Sequence, residues 1–193
     1  DVFTSLVSTP FYADLPFGES TGVVVAVGGD ASVVFRAQDS EYEVSVSGEF
    51  AFGGDDQYTV GAIGNADAPL ALLIREDSSS PPNDAVRYRY AHASSALSES
   101  VNLWLANEGE PDDTFIEDLG FGDVSNDATR AAGPHRISID LEKDGVPDVF
   151  FDMGSLVSSA QYTFWISSDA AGAFILITDT EGGSTRIDGA PIE

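Results

Sequence analysis

Short apolar segments with strand-like periodicity run along most of this chain. In residues 32–37 and 41–48 alternate side chains are apolar, which is the period of a half-buried β-strand. Strand-length apolar segments rich in Val, Ile, Phe, Tyr and Thr follow at 57–63, 70–74, 86–92, 101–105, 137–141, 149–151, 162–166 and 174–177. Turn-forming residues separate them, and helical periodicity is absent. The pattern predicts an all-β protein built as β-sandwiches.

One motif occurs twice. Phe115–Asp123 matches Phe11–Glu19 in its Phe, Asp-Leu, Phe-Gly and closing acidic positions, and the two copies lie 104 residues apart. Gln57-Tyr-Thr59 recurs as Gln161-Tyr-Thr163, and Gly29 has a counterpart at Gly133, with the same spacing of 104 residues. Three anchors at one spacing indicate an internal duplication, with each copy near the common size of a domain.

The duplication predicts two tandem Ig-like antiparallel β-sandwich domains. Unit one covers residues 1–76, a polar linker with two prolines covers 77–84, unit two covers 85–183, and an extended tail covers 184–193. Unit one contains no counterpart of the strand Arg87–Ser94, so we expect it to lack its opening strand.

The composition restricts the function. There are 33 acidic residues against 8 Lys and Arg, for a net charge of −25, and nucleic-acid binding is excluded because it needs a basic face. Cysteine is absent, which excludes disulfides and thiolate chemistry. No apolar segment reaches the roughly 18 residues of a membrane helix, so we expect no membrane insertion. The chain has no initiator Met and no leader, and we read it as mature, processed or excised from a longer protein.

The candidate catalytic residues form no complete set. His92 and Ser94 alternate along one predicted strand, but no acid is placed to orient the imidazole, and a structural role is favoured. The 33 acids supply many carboxylate pairs, yet no pair is marked as flanking a cleft. Trp104 and Trp165 lie in predicted strands, where core packing is favoured over sugar stacking. We expect no enzymatic activity.

One acidic stretch could bind a cation. Asp140, Asp144, Asp148 and Asp152 supply the hard oxygen ligands that Ca²⁺ prefers, although their spacing differs from that of an EF-hand loop. The alternative is a solvated acidic surface. Apart from Ca²⁺ at this stretch, we expect no cofactor.

Unit two resembles the domain-of-unknown-function family numbered 4397. The resemblance rests on Tyr88–Ser94, Val101–Trp104, Leu119–Val124, Ala132-Gly133 and Gln161–Thr163, and spans about residues 86–180. In unit one it rests on Asp1–Phe3, Leu15–Glu19 and Gln57–Thr59. The resemblance implies an exported or cell-surface protein with repeated domains, and it implies no catalytic residues.

These observations predict a non-enzymatic extracellular or cell-surface structural module. Its partners would be further copies of itself or another surface protein. Three sources could fill the missing strand of unit one, where Val2 and Phe3 lie at the expected open edge. A strand upstream in a longer protein could fill it, or the tail with Thr185, Ile187 and Ile192 could fold back into it. The tail could instead enter a neighbouring copy, and repeated donation would build a filament. The alternative is a carbohydrate-binding or adhesin module of a larger secreted protein.

Overall fold

All regular structure in the described residues is β, which confirms the predicted all-β class. The computed structural model describes residues 2–4, 29–36, 45–53, 56–65, 69–76, 79–107 and 114–191. The strands are β1 (Val2–Thr4), β2 (Gly29–Arg36), β3 (Ser45–Phe52), β4 (Tyr58–Gly64), β5 (Pro69–Arg75), β6 (Ala85–His92), β7 (Ser100–Asn107), β8 (Thr114–Gly120), β9 (Ala128–Ala131), β10 (Gly133–Asp140), β11 (Val149–Leu156), β12 (Gln161–Asp169), β13 (Gly172–Asp179), β14 (Ser184–Asp188) and β15 (Ala190–Pro191).

The residues from 85 onward form two five-stranded sheets. Their strand orders are β15-β11-β10-β7-β8 and β14-β13-β12-β6-β9. Neighbouring strands are antiparallel except β6 and β12, which run parallel. Apolar side chains from the facing sides of both sheets form one buried core, which includes Val86, Tyr88, Tyr90, Val101, Leu103, Leu105, Ile137, Ile139, Phe151, Phe164, Ile166 and Ile175. The apolar residues of the predicted strands therefore form this core.

Aromatic rings fill the centre of that core. The ring centroids of Tyr88 and Tyr90 lie 5.9 and 5.5 Å from that of Phe164. Phe164 is fully buried and stacks on Tyr162 at 6.2 Å. Burying each such side chain contributes roughly 1.5–3 kcal/mol, and the parallel pair of β6 and β12 brings these rings together.

The described part of unit one contains a three-stranded sheet and a hairpin. The sheet has the order β1-β2-β3, and β4 and β5 form the hairpin. The rings of Phe52 and Tyr58 meet edge to face at 5.1 Å and connect the end of β3 to the start of β4. Val33 on β2 is buried.

Strand registers recur at the spacing of the sequence repeat. In the hairpin of β4 and β5, Tyr58 pairs with Arg75, and Tyr162 pairs with Asp179 in β12 and β13. Both members are 104 residues further on, and the remaining pairs of β4 and β5 recur in the same way.

The backbone conformation of the glycine that opens β2 recurs in the glycine that opens β10. Gly29 opens β2 with φ 136°, and Gly133 opens β10 with φ 130°, a backbone conformation that residues with a side chain rarely adopt. The two hairpins also start in the same register, Gly29 with Phe52 and Gly133 with Leu156. These agreements support the duplication inferred from the sequence. The anchor pairs that include Phe11, Leu15, Phe17 and the Phe115 side chain lie outside the described residues.

The linker and the tail both contact unit two. The guanidinium of Arg87 donates to the carbonyl of Ser79 at 2.7 Å, and Pro81 is buried. Strand β14 pairs with β13 along its whole length. The tail therefore continues the sheet of unit two as far as residue 188.

Candidate functional site at the interface between the units

The hairpin of β4 and β5 packs on the outer face of unit two. Trp165 lies on β12 between two residues of the sandwich core, so its side chain points to the opposite, outer face. There it forms a buried cluster with Ala91 and Ala93 from β6 and with Ile63 and Ile74 from the hairpin. This second core, separate from the core inside the sandwich, joins the two units.

Two glutamines make reciprocal contacts across this interface. Gln57 donates through Nε2 to the carbonyl of Thr180 at 2.5 Å, and Gln161 donates through Nε2 to Oε2 of Glu76 at 2.8 Å. Gln161 follows Gln57, and Thr180 follows Glu76, by the repeat spacing of 104 residues. Gln57 of unit one thus contacts position 180 of unit two. Its equivalent in unit two, Gln161, contacts position 76 of unit one, which is the equivalent of position 180. This is the signature of an isologous interface with a two-fold axis.

Gly61 and Trp165 meet near the centre of this arrangement. They too are 104 residues apart. A Cβ atom on Gly61 would lie 3.1 Å from Cη2 and Cζ3 of Trp165, so glycine makes room for the indole. The indole Nε1 donates to Oγ1 of Thr178 at 2.9 Å. The tryptophan is buried and hydrogen-bonded in the interface, where it cannot stack on a sugar.

A buried ion-pair network borders the apolar contacts. The side chains of Arg89 and Glu76 are each 4% exposed, with Nη2 and Oε2 at 3.2 Å. Arg89 also donates to the carbonyl of Arg75 at 3.0 Å, and its Nε lies 2.7 Å from Oδ1 of Asp127. Thr59 donates to Oε1 of Glu76 at 2.6 Å. Buried charges need such multiple partners, because losing one leaves an uncompensated charge.

His92 and Ser94 are engaged separately. His92 is fully buried, and its Nδ1 donates to the carbonyl of Leu119 at 3.1 Å. The hydroxyls of Ser94 and Ser168 are 2.6 Å apart, and Ser94 Oγ accepts from the amide of Ala96. The structure therefore does not join His92 and Ser94 into a nucleophile–base pair.

Burial disfavours the charged form of three titratable groups. It lowers the pKa of His92 and of His135, in both cases against backbone carbonyls that raise it. It raises the pKa of the Tyr90 hydroxyl well above its ordinary value. All three belong to the interior of unit two, where neutral forms pack best.

The four aspartates considered for Ca²⁺ are arranged around backbone groups. The carboxylate of Asp140 is buried and accepts from the amides of Lys143, Asp144 and Gly145. Asp148 accepts from the amides of Leu141 and Glu142. Asp144 and Asp152 each accept from an amide two residues ahead. Within the described part of the chain, no group of three or more acidic or histidine side chains is placed to hold a metal ion.

The residues considered for assembly lie on paired strands. Ile187 on β14 pairs with Ile175, and Thr185 pairs with Ile177, so these tail residues are already part of a sheet. Val2 and Phe3 lie on β1, which pairs with β2 and is at the edge of its sheet among the described residues. Ile192 lies outside the described residues.

The sequence reasoning missed the interface. Gln57 and Gln161 are repeat anchors in the sequence, but nothing in the linear pattern indicates that each contacts the other unit. The sequence does not indicate the ion pair of Glu76 and Arg89 either, because a single charged residue in or beside a strand resembles any solvated charge. The recurrence of Gln-Tyr-Thr in both units was the one available indication.

A chain whose described structure is all β, with two facing five-stranded sheets, belongs to the broad class of β-sandwich proteins. The family model described as a domain of unknown function, DUF4397, matches residues 1–103. That is more than half of the chain, and the protein belongs to this family. The match covers all of unit one, where the resemblance was also expected, and extends through the Tyr88–Ser94 motif to Leu103, whereas the expected resemblance in unit two continues to about residue 180.

None of the curated proteins compared with this chain matches it. In the part of the chain that the structure describes, no helix is long and apolar enough to cross a membrane.

Proposed function

We propose that this protein is a non-enzymatic structural module of an extracellular or cell-surface protein, made of two copies of one sandwich unit locked face to face. The reciprocal hydrogen bonds from Gln57 to Thr180 and from Gln161 to Glu76 carry the proposal. Domains that move relative to one another usually share polar, loosely packed interfaces. Here a buried apolar cluster and a buried ion pair hold the units in one orientation.

The state of the reactive side chains supports a non-enzymatic role. His92 and Ser94 satisfy backbone and hydroxyl groups in the interior, and Asp140 and Asp148 hold a turn. Catalytic groups need access to a substrate as well as a perturbed pKa. These polar groups instead form hydrogen bonds with neighbouring groups of the protein.

The family resemblance supports an extracellular location, and the acidic composition is compatible with it. A net charge of −25 keeps a protein soluble and prevents nonspecific association. The family resemblance points to exported and surface proteins. An antibody against the chain should label intact cells of the source organism, whereas labelling only after permeabilisation would contradict this location.

The tail contributes to the unit that carries it. The guanidinium of Arg186 ion-pairs with Asp169 at 2.7 Å and lies 3.9 Å above the ring of Phe174. A tail that donated its strand to another molecule would lose these contacts and the pairing with β13. We therefore assign β14 to the sandwich of unit two.

Calorimetry of the whole chain tests the locked arrangement. Two units that share a buried interface should unfold in one cooperative transition. Glu76→Gln leaves the Arg89 charge under-compensated and should destabilise the protein by about 3 kcal/mol. It should also separate the melting of unit one from that of unit two. Glu49→Gln, an exposed glutamate of unit one, is the matched control and should leave the profile unchanged.

Two well-resolved transitions in the unaltered chain would contradict the proposal. So would a Glu76→Gln profile that matches the Glu49→Gln profile.

A further inference from the structure

The two-fold axis that relates the units passes between two residues of very different size. In a two-fold interface, a residue on the axis contacts its own equivalent in the other subunit. Gly61 and Trp165 are equivalents at the repeat spacing of 104 residues, and a Cβ on Gly61 would lie 3.1 Å from the indole ring. The smallest and the largest side chain therefore face each other on the axis.

Other interface residues are the same in both units. Leu72 and Leu176 are equivalents, and both pack against the apolar cluster that joins the units. The equivalents Gln57 and Gln161 make the reciprocal hydrogen bonds. We call the hairpin surface that carries Gly61 the unit-one face and the outer β12 surface that carries Trp165 the unit-two face. The paired leucines and glutamines favour contact between two like faces as much as contact between unlike faces.

The contact with Trp165 explains why residue 61 is glycine. Gly61 lies inside strand β4, and its φ is not positive, so a residue with a side chain could adopt this conformation. Glycine inside a strand weakens the strand. The atoms nearest to a Cβ at this position belong to Trp165, and the next is a methyl group of Ile63 at 3.7 Å, an ordinary contact distance. The missing side chain therefore leaves space for the indole.

The tryptophan is held by a residue of its own unit. Nε1 of Trp165 donates to Oγ1 of Thr178 at 2.9 Å, from β12 to the neighbouring strand β13. The equivalent of Thr178 in unit one is Ile74, whose side chain has no acceptor and belongs to the apolar cluster around the ring. The indole is thus fully bonded when unit two carries it, and unit one supplies the space and the apolar surface.

We propose that Gly61 and Trp165 determine which faces pair, so that the unit-two face accepts the unit-one face and rejects the unit-two face of a second copy of this chain. Two unit-two faces would place indole against indole, at a point where even a Cβ is crowded. Two unit-one faces would leave a cavity between the glycines. Specificity needs such a penalty on the wrong pairing as well as a good fit of the right one. This inference rests on the proposed structural function and identifies what keeps the pairing within one chain.

Two single substitutions in the whole chain reproduce the two like pairings. Gly61→Trp places tryptophan on both sides of the axis, and Trp165→Gly places glycine on both sides. Each should lower the melting temperature by about 5 °C or more, through overpacking and through a cavity, respectively. Ala62→Trp, which puts the same side chain on an exposed position of β4, is the matched control. Its effect on the melting temperature should be the same with Trp165 as with Trp165→Gly.

The chain with both substitutions again has one large and one small side chain on the axis, in exchanged positions. It should melt above both single variants, and below the unaltered chain because Ile74 offers the new indole no acceptor. The amide of Gly64, which donates to the carbonyl of Ala93 in unit two at 2.8 Å, reports docking by hydrogen exchange. It should lose protection in each single variant and regain it in the double variant.

Additive losses would overturn the inference. If Gly61 and Trp165 acted only within their own units, their effects would add, and the double variant would melt below both single variants with Gly64 unprotected. If this occurs while the unaltered chain unfolds in one transition, the pairing determinant is wrong and the structural function stands. Two transitions in the unaltered chain would mean that the proposed function itself fails.

A milder pair of substitutions keeps the test decisive if Gly61→Trp fails to fold. The atoms that approach Gly61, Cη2 and Cζ3, belong to the outer ring of the indole and have no counterpart in phenylalanine. The change in melting temperature caused by Gly61→Ala should therefore be more negative in the unaltered chain than in a Trp165→Phe chain, by about 2 °C or more. An equal change in the two chains would overturn the inference.

Discussion

At the scale of the single residue, His92 shows how burial controls protonation. Burial lowers its pKa, against the effect of the Leu119, Gly120 and Ser94 backbone groups and the charge of Asp123. The unfolded chain therefore binds a proton at His92 more readily than the folded protein does. Stability contributed by the neutral imidazole is complete above the unfolded pKa of about 6.5 and falls as pH drops below it.

We expect the melting temperature to decrease between about pH 7.5 and pH 5.5. His92→Gln cannot titrate and should show a smaller decrease, as measured by thermal unfolding at constant ionic strength. Equal pH dependence in the two proteins would show that His92 contributes nothing to it.

Gly61 tests the close approach of the two units. A larger side chain at this position meets Trp165, since even a Cβ would lie 3.1 Å from the indole ring. Gly61→Val should cost about 1–3 kcal/mol of unfolding free energy through overpacking, measured by urea titration. Ala62→Val, on the opposite face of the same strand, is the control and should change stability by no more than about 0.5 kcal/mol. A Gly61→Val protein as stable as this control would contradict the packing described.

Residues of the interface were the least predictable from the sequence. The recurring Gln-Tyr-Thr motif predicts that Tyr58 and Tyr162 are both largely buried with bonded hydroxyls, because a buried phenol needs a partner. Both hydroxyls are bonded, but Tyr58 is only half-buried. The pairing of Glu76 with Arg89 could not be predicted, because it depends on how the hairpin docks onto the outer face of β12. Alternation identifies which face of a strand is apolar and therefore buried. The outer face of β12, which carries Thr163 and Trp165, is buried as well, because unit one packs on it.

At the scale of the element, the two hairpins carry the same tyrosine contact. The hydroxyl of Tyr162 accepts from the amide of Val157 at 3.0 Å, and that of Tyr58 accepts from the amide of Gly53 at 2.9 Å. Each contact joins a tyrosine to the amide five residues before it. Tyr162 is buried and Tyr58 is half-buried, so the loss of the contact should matter more in unit two.

Tyr162→Phe should lower the unfolding free energy by about 1–2 kcal/mol, because the amide of Val157 loses its partner. Tyr58→Phe should cost less, because water can reach the amide of Gly53. Urea titrations of both variants at one temperature measure the difference. A greater loss for Tyr58→Phe than for Tyr162→Phe would contradict the burial order.

Strands with strong alternation were predictable, and polar strands were not. The segments of β2 and β3 show apolar alternation, and those of β4, β5, β6, β7, β10, β11, β12 and β13 are strand-length apolar segments. Strand β8 contains the exposed residues Glu117 and Asp118, and β14 is exposed at four of its five positions. Such strands form because a sheet edge offers hydrogen bonds, a cause that no local pattern reveals.

At the scale of the whole molecule, the net charge of −25 should destabilise the folded state through self-repulsion. We expect the melting temperature to rise between about 10 mM and 1 M NaCl, as the Debye length falls from roughly 30 to 3 Å. CaCl₂ at equal ionic strength should give the same rise, because the Asp140 and Asp148 carboxylates already bind backbone amides. A larger rise with CaCl₂ would instead indicate a specific Ca²⁺ site.

The repeat spacing could be recognised from the sequence, but the docking of the two units could not. Duplication predicts two similar folds and says nothing of which faces meet. The structure places equivalent faces together, so that Gly61 meets Trp165 and Gln57 and Gln161 exchange partners. Such an arrangement is typical of a two-fold dimer whose two subunits have become one chain.

The amide of Gly64 provides the most direct test of this arrangement. Its hydrogen-bond acceptor, the carbonyl of Ala93 at 2.8 Å, belongs to the other unit, so the bond exists only while the units are docked. We predict that hydrogen exchange followed by NMR will show Gly64 protected to nearly the free energy of global unfolding, with Ala62 on the same edge exchanging rapidly. Rapid exchange at Gly64 in a chain whose β12 amides remain protected would show that the units separate freely, and would contradict the account.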